Sequence, residues 1–460
     1  MKRTTALLSL LSCIVLTAQP TVKNGGISAE MLKRISASYE ASPSDKAVKN
    51  ALAGTSIATL AVNSGNAAMM DTHFSDRVAS KGITDQKSSG RCWLFTGLNV
   101  LRAQMMTQHN LPEFTLSQGY VFFYDQLEKA NLFLQSVIDT RDKAIDDREV
   151  DWLFRNPISD GGTFTGVANL VTKYGCVPSE AFTETFSANS TSQMRQILSL
   201  KLREDGLRLR EARQKDLPGM KEQMLGEIYR ILVLCLGQPP VSFEWTRCDK
   251  AGEIVDTRSY TPVQFYNEYI GNDLENGYVM LMNDPCREYH KVYEIQYDRH
   301  TYEGQNWKYL NLPIDEFKQI AIASIKAGKA MYISCDVAKF LSKSKGTLDL
   351  DNMDYASLFG VDFGMDKKER ILTHASGSSH AMTLVAVDLK DGKPLKWMVE
   401  NSWGRDYGYK GHLIMTDEWF ENYMFRIVAE KQFVPEALLR ELDQKPILLP
   451  AWDPMFSQDE

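Results

Sequence analysis

The sequence predicts an α+β fold in which a helical half is followed by a β-rich half. Apolar residues at helical spacing run through Leu94, Leu98, Leu101 and Met105. The same period returns in Met220, Met224, Ile228, Ile231, Leu232 and Cys235, inside a charged stretch from about Ser192 to Gly237. The last third instead breaks into short runs, Ala381 to Val387, Trp397 to Glu400, His412 to Met415 and Phe425 to Ala429, separated by Gly and Asp turns. Apolar periodicity separates the two regimes. Helices followed by strands, without alternation, is the α+β order and not a chain of βαβ units.

Taken in order, residues 1–18 read as an export signal: Lys2 and Arg3 supply the positive start, Ala6 to Leu16 a short apolar run, Thr17 and Ala18 the small residues. That run is too short to span a bilayer comfortably. It places the mature protein in a periplasm or outside the cell; a lipid anchor at Cys13 is the alternative, disfavoured because the chain stays apolar past it. No later stretch is long and apolar enough to cross a membrane. Residues 19–75 are rich in small side chains, with sparse helical spacing at Met31, Ile35 and Tyr39, and read as an arm or cap. Residues 76–190 form a helical subdomain. In it Ser88-Ser89-Gly90 opens one helix, Ser117 to Phe133 forms a second, and Val167 to Tyr174 a third that ends at Gly175. Residues 191–300 read as mainly helical, broken by Gly237 and Pro239-Pro240; residues 301–440 are β-rich, and 441–460 form a C-terminal arm.

Composition narrows the function. The chain has 460 residues, 43% hydrophobic and 24% charged, as in ordinary globular proteins. A net charge of −7 gives no overall attraction to nucleic acid. Beyond Cys13 the cysteines (Cys92, Cys176, Cys235, Cys248, Cys286, Cys335) are scattered, with no CxxC pair or Cys/His cluster. The sequence therefore implies no metal and no cofactor.

The chemistry concentrates in Asp85-Gln86-Lys87-Ser88-Ser89-Gly90-Arg91-Cys92-Trp93. A cysteine in the first turn of a helix meets unpaired backbone N–H groups and the positive end of the helix dipole. Both favour thiolate, the nucleophilic form. The same N–H groups, with the Gln86 amide, can hydrogen-bond an oxyanion on a substrate carbonyl. A thiolate needs a base, and His380 opens a β-run on which an imidazole is firmly mounted. Asn401 follows the next β-run in Glu400-Asn401-Ser402-Trp403-Gly404. Its side-chain oxygen can accept from one imidazole nitrogen and leave the other facing the sulfur, with Trp403 shielding the bond from water.

Gln86, Cys92-Trp93, a strand histidine and Asn-Ser-Trp-Gly in this order resemble papain-like cysteine peptidases. The resemblance implies a papain-like fold, a helical half plus a β-barrel-like half. It implies Cys92 as nucleophile, His380 as base and acid, Asn401 as its orienting partner and Gln86 as oxyanion donor. It also makes Asp160-Gly161-Gly162 the segment that pairs with substrate backbone. Two features depart from papain: the approach reads Ser-Gly-Arg-Cys, without the motif's disulfide cysteine, and His380 lies 288 residues after Cys92. That is about twice the usual separation, so a large helical insertion is required. Both departures fit the bleomycin hydrolase and aminopeptidase C branch. So do Asn156-Pro157, Cys235-Leu-Gly-Gln-Pro-Pro240, Met415-Thr-Asp-Glu-Trp-Phe420 and Leu449-Pro-Ala-Trp-Asp-Pro-Met455. This branch implies a homo-oligomer, a hexamer, whose C-terminal tail enters the cleft and whose substrates are peptides with a free N-terminus. Glu460 would then end the tail beside the substrate amine. Two other readings of the same residues stay open, a transglutaminase-like acyl transferase and a non-catalytic peptide-binding scaffold.

Overall fold

The computed structural model describes residues 25–66, 71–271 and 273–455. The expected signal at 1–18 and Glu460 both lie outside them. The chain divides into two compact units, residues 1–60 and 61–460.

In the first unit three short helices follow one another, Ala29–Ala37, Pro43–Leu52 and Ile57–Leu60. Ser28 caps the first, and Ser42 with Asp45 forms a capping box on the second. Capping supplies partners for first-turn N–H groups that the helix itself leaves unbonded. The expected arm at 19–75 is thus divided. Its helices form their own unit, whereas the chain from residue 61 belongs to the larger one, where Asp76–Arg77 pairs with Val387 and Ala386.

The second unit holds the helices Cys92–Gln108, Gln118–Asp139, Phe164–Tyr174, Ser192–Glu211 and Leu217–Leu236. Leu94, Leu98, Leu101 and Met105 are buried as their spacing predicts, but so are Phe95, Asn99 and Arg102 on the other faces of that helix. A helix buried all round lies in the interior, and this one packs against both the helical layer and the sheet. Ser88 and Ser89 do not cap it. The first helical residue is Cys92 itself, and Arg91, before it, offers no side-chain cap. The region expected to be mainly helical, 191–300, is helical to Leu236 and again at Pro262–Tyr269. Between them lies a hairpin, Phe243–Cys248 with Ile254–Tyr260, and afterwards Tyr278–Met282 and Lys291–Ile295 join the main sheet. Alternation in these strands is blurred: Phe243–Cys248 buries only Trp245 outright, whereas Tyr278–Met282 is buried on both faces.

Among the described residues twelve strands form the main sheet. Its middle runs Tyr278–Met282, Met424–Glu430, Met331–Cys335, His380–Lys390, Lys393–Glu400 and His412–Thr416, all antiparallel neighbours. The four C-terminal runs read from the sequence are all strands here. One apolar core lies within the helices, and a second lies beside the sheet, where Trp397 stacks on Phe420 at 4.5 Å.

Candidate active site

The hairpin His380–Lys390/Lys393–Glu400 builds one wall of the site. Lys390 pairs with Lys393, leaving a two-residue loop, and both loop residues have positive φ, Asp391 at 52° and Gly392 at 77°. Asp-Gly suits this twisted turn because both residues tolerate the left-handed region. From there the pairing runs back to Thr383 opposite Glu400, which brings the two ends, His380 and Asn401, together. His380 Nε2 lies 2.9 Å from Asn401 Oδ1, and that oxygen also accepts from the Ser402 amide at 2.8 Å. The Trp403 ring covers the imidazole, with centroids 4.8 Å apart.

The nucleophile loop is stitched to the same wall. Gln86 N donates to Ser402 O at 2.8 Å, Ser402 Oγ donates to Gln86 Oε1 at 2.6 Å, and Gly404 N donates to Thr84 O at 3.1 Å. Gly404 has φ +84°, and a Cβ there would come 3.0 Å from the Asp85 carboxylate. Asn-Ser-Trp-Gly is therefore more than a turn: its first residue holds the imidazole and its last two lie against the segment 84–86, where Trp403 bridges Asp85. Gln86 Nε2 donates to Ser89 O at 2.7 Å, which directs the amide toward the turn before Cys92. From the other side Asp160 Oδ2 accepts from the Gly90 amide at 2.7 Å and from the Thr191 hydroxyl, while Asp160 O accepts from Trp93 Nε1 at 2.8 Å.

Gln86, Cys92, His380, Asp160, Gly161 and Gly162 line one cavity of about 280 Å³. Trp403 and Asn401 stand behind it. Met455, the last described residue of the C-terminal arm, reaches the same cavity, and its carbonyl accepts from Arg426 at 2.7 Å. A larger cavity, about 540 Å³, lies between Asn131, Gln135, Lys221 and Leu225 and contains no nucleophile.

Electrostatics modify the expectation of a helix-tip thiolate. Burial pushes the Cys92 thiol up to about 11, while the Ala381 and Trp93 amides pull against it. Burial likewise drives His380 down to about 4, opposed by its bond to Asn401. Each charge alone is disfavoured by desolvation. Cys92 and His380 line the same cavity, and a thiolate–imidazolium pair formed there would offset both penalties.

A second buried cluster, which sequence reasoning missed, braces the glycine segment. Lys129 Nζ donates to Gly161 O at 2.5 Å and to Ser159 O at 3.1 Å, and pairs with Asp125 at 3.0 Å. His300 Nδ1 meets the other Asp125 oxygen at 2.5 Å. Although burial raises the Asp125 carboxyl, Lys129 and His300 bring it below its ordinary value. Asp125 and Lys129 at i, i+4 were a visible signal; nothing in the sequence tied His300 to them.

Residues 26–456 match the model of the peptidase C1-like family. The chain belongs to the peptidase C1-like family. Within it, bleomycin hydrolase of Homo sapiens is 41% identical, the match covering 82% of this chain and 86% of the relative. Aminopeptidase C of Listeria monocytogenes serovar 1/2a is 34% identical over 93% of this chain and 98% of its own. The crystal structure of PepW from Lactobacillus rhamnosis HN001 superposes with a TM-score of 0.90 at 35% identity, covering 94% of this chain and 99% of that one. The fold is papain-like, as the sequence predicted, and the chain is a cysteine peptidase.

Proposed function

We propose that the chain is a cysteine aminopeptidase in which Cys92 attacks the first peptide bond of a substrate with a free N-terminus. The observation that carries this is the single cavity lined by Cys92, the Asn401-held His380 and Met455 of the C-terminal arm. As sulfur bonds to the carbonyl carbon, its proton passes to His380 Nδ1, the nitrogen not engaged by Asn401. The helix-tip N–H groups and the Gln86 amide receive the oxyanion. Collapse breaks the C–N bond, His380 returns the proton to the leaving amine, and a thioester remains. Water, deprotonated by His380, then releases the amino acid. Asn401 orients the imidazole throughout, and Trp403 keeps water from that bond. Asp160, Gly161 and Gly162 present backbone to the substrate.

In this reading residues 456–460, which lie beyond the described ones, limit how many residues fit on the amino side of the scissile bond. Export by residues 1–18, cleavage near Ala18, and assembly into a homohexamer belong to the same proposal. N-terminal sequencing of protein from the native host tests the first two points, and light scattering of the purified chain tests the third. The relatives named aminopeptidase support the hydrolase reading, and the comparisons give no support to the acyl-transferase or non-catalytic alternatives.

The decisive experiment compares free and N-acetylated peptides with the intact chain and Cys92→Ala. The intact chain should release residues only from free peptides, and the variant should lose roughly 10⁴-fold or more in kcat. Full activity in the variant would overturn the mechanism.

A further inference from the structure

The glycine segment separates two cavities. Ser159, Gly161 and Gly162 line the one shared with Cys92 and His380, and the same three residues line a smaller one of about 90 Å³. Lys129 and His300 line the second and not the first. Three successive carbonyls of the segment are bonded to buried side chains. Ser159 O accepts from Gln126 Nε2 at 2.8 Å and from Lys129 Nζ at 3.1 Å. Asp160 O accepts from Trp93 Nε1 at 2.8 Å, and Gly161 O from Lys129 Nζ at 2.5 Å. Gly162 differs: it is half-buried, and no described residue bonds its N–H or its C=O. Backbone groups withdrawn from water are ordinarily paired, so this peptide edge is open to a ligand. Its direction follows from planarity. Gly161 C=O and Gly162 N–H belong to one trans peptide unit and point opposite ways. A carbonyl held toward Lys129 therefore aims the Gly162 N–H away from Lys129, into the cavity that Cys92 lines.

We propose that Lys129 is a positioning residue for substrate. It sets the peptide plane between Gly161 and Gly162 so that the Gly162 N–H receives a backbone carbonyl oxygen of the peptide in the cleft. The inference rests on the peptidase reading above, and Lys129 acts only through that plane. An ammonium carries three donors, and here all three are used: Gly161 O, Ser159 O and the Asp125 carboxylate at 3.0 Å. Two further contacts hold the ammonium where it is. It lies 5.3 Å over the Trp93 ring, and Asp125 is fixed in turn by His300 Nδ1 at 2.5 Å. The cluster thus turns a chain of glycines, which has little conformational preference of its own, into a donor of fixed direction.

The test is Lys129→Met, similar in length but without donors, beside Lys129→Met/Asp125→Asn, which also removes the carboxylate charge that the first variant leaves buried. Both are assayed on tetra-alanine, with melting curves for stability and the rate of Cys92 alkylation by iodoacetamide as a check on the nucleophile. KM should rise roughly three- to tenfold, the scale of one lost hydrogen bond, while kcat and the alkylation rate stay within about twofold. A lysine that merely supports the fold would act through the active fraction, lowering kcat and the melting temperature and leaving KM alone. That result, or an unchanged KM, would overturn the proposal. If Lys129→Met does not fold, the double variant decides on the same criteria. Failure of the aminopeptidase reading shows separately, as an intact chain that cleaves N-acetyl-tetra-alanine as well as the free peptide. The KM comparison is then made on the acetylated peptide, and the positioning role stands or falls by it.

Discussion

Arg102 and Glu400 form an ion pair of 2.5 Å with both side chains almost wholly buried. Arg102 belongs to the helix that Cys92 begins, and Glu400 is the residue before Asn401. The pair therefore ties the nucleophile's element to the strand that orients the imidazole. Ser80 Oγ donates to the other carboxylate oxygen at 2.7 Å, and Arg102 also donates to Gly82 O.

Breaking this tie should cost stability and activity together. Arg102→Met leaves Glu400 buried without its counter-charge, and loss of one partner of such a pair costs about 3–5 kcal/mol. Urea denaturation should show this, with a lower kcat. The double variant Arg102→Met/Glu400→Gln should lose less than the two single losses combined. Additive losses would mean that the two side chains do not act as a unit.

His380→Ala should isolate the thiol's own titration. With the imidazole gone, Cys92 has only its burial-raised value of about 11. Its alkylation by iodoacetamide should then climb about tenfold per pH unit across neutral pH. The intact chain should give a much flatter profile. Matching profiles would show that no proton is shared between the two residues.

Acid should destabilise the fold through His380. Its folded value, about 4, lies below the ordinary 6.5, so the unfolded chain binds the proton more readily. The stability linked to this group is present above pH 6.5 and is lost as pH falls toward 4, by roughly 3 kcal/mol at most. Denaturation midpoints of the intact chain should drop more steeply over this window than those of His380→Gln. Parallel curves would contradict the assignment.

Gly161 and Gly162 should respond oppositely to alanine. A Cβ on Gly162 would sit 2.3 Å from His300 and 2.8 Å from Trp93, both held by hydrogen bonds, whereas a Cβ on Gly161 meets nothing within 4 Å. Gly162→Ala should destabilise by about 1–3 kcal/mol and raise KM. Gly161→Ala should change stability little, so any loss of activity there reports contact with substrate. Melting curves with steady-state kinetics separate the two.

Deleting residues 456–460 should open the cleft. The expected outcome is new cleavage of N-acetylated peptides at internal bonds, read by mass spectrometry, with hydrolysis of free alanine 4-nitroanilide retained. If the shortened chain still rejects acetylated peptides, the tail does not set the length limit.

The parts of this molecule legible in the sequence are those with local signals. Leu94, Leu98, Leu101 and Met105 revealed a helix, and Asn-Ser-Trp-Gly after a β-run revealed the partner of His380. The start of the nucleophile helix was misread because Ser88 and Ser89 look like caps, yet the Ser89 hydroxyl donates to Gln86 O and no side chain caps Cys92. The strands at 243–295 were missed because their faces do not alternate cleanly. Asp125 with His300, and Arg102 with Glu400, join residues 175 and 298 positions apart. Long-range pairs of this kind leave no periodic trace in a single chain.

The Asp391-Gly392 turn also says where this architecture can change length. Loop closure becomes only slowly more costly with added residues, so the turn between the helices that end at Glu211 and begin at Leu217 can lengthen without repacking the core. One residue inserted within the paired arms on either side of that turn would reverse every side chain beyond it, turning the imidazole away from its amide. The small hairpin is the molecule's fixed measure, and the turn at 212–216 is a place where length can vary.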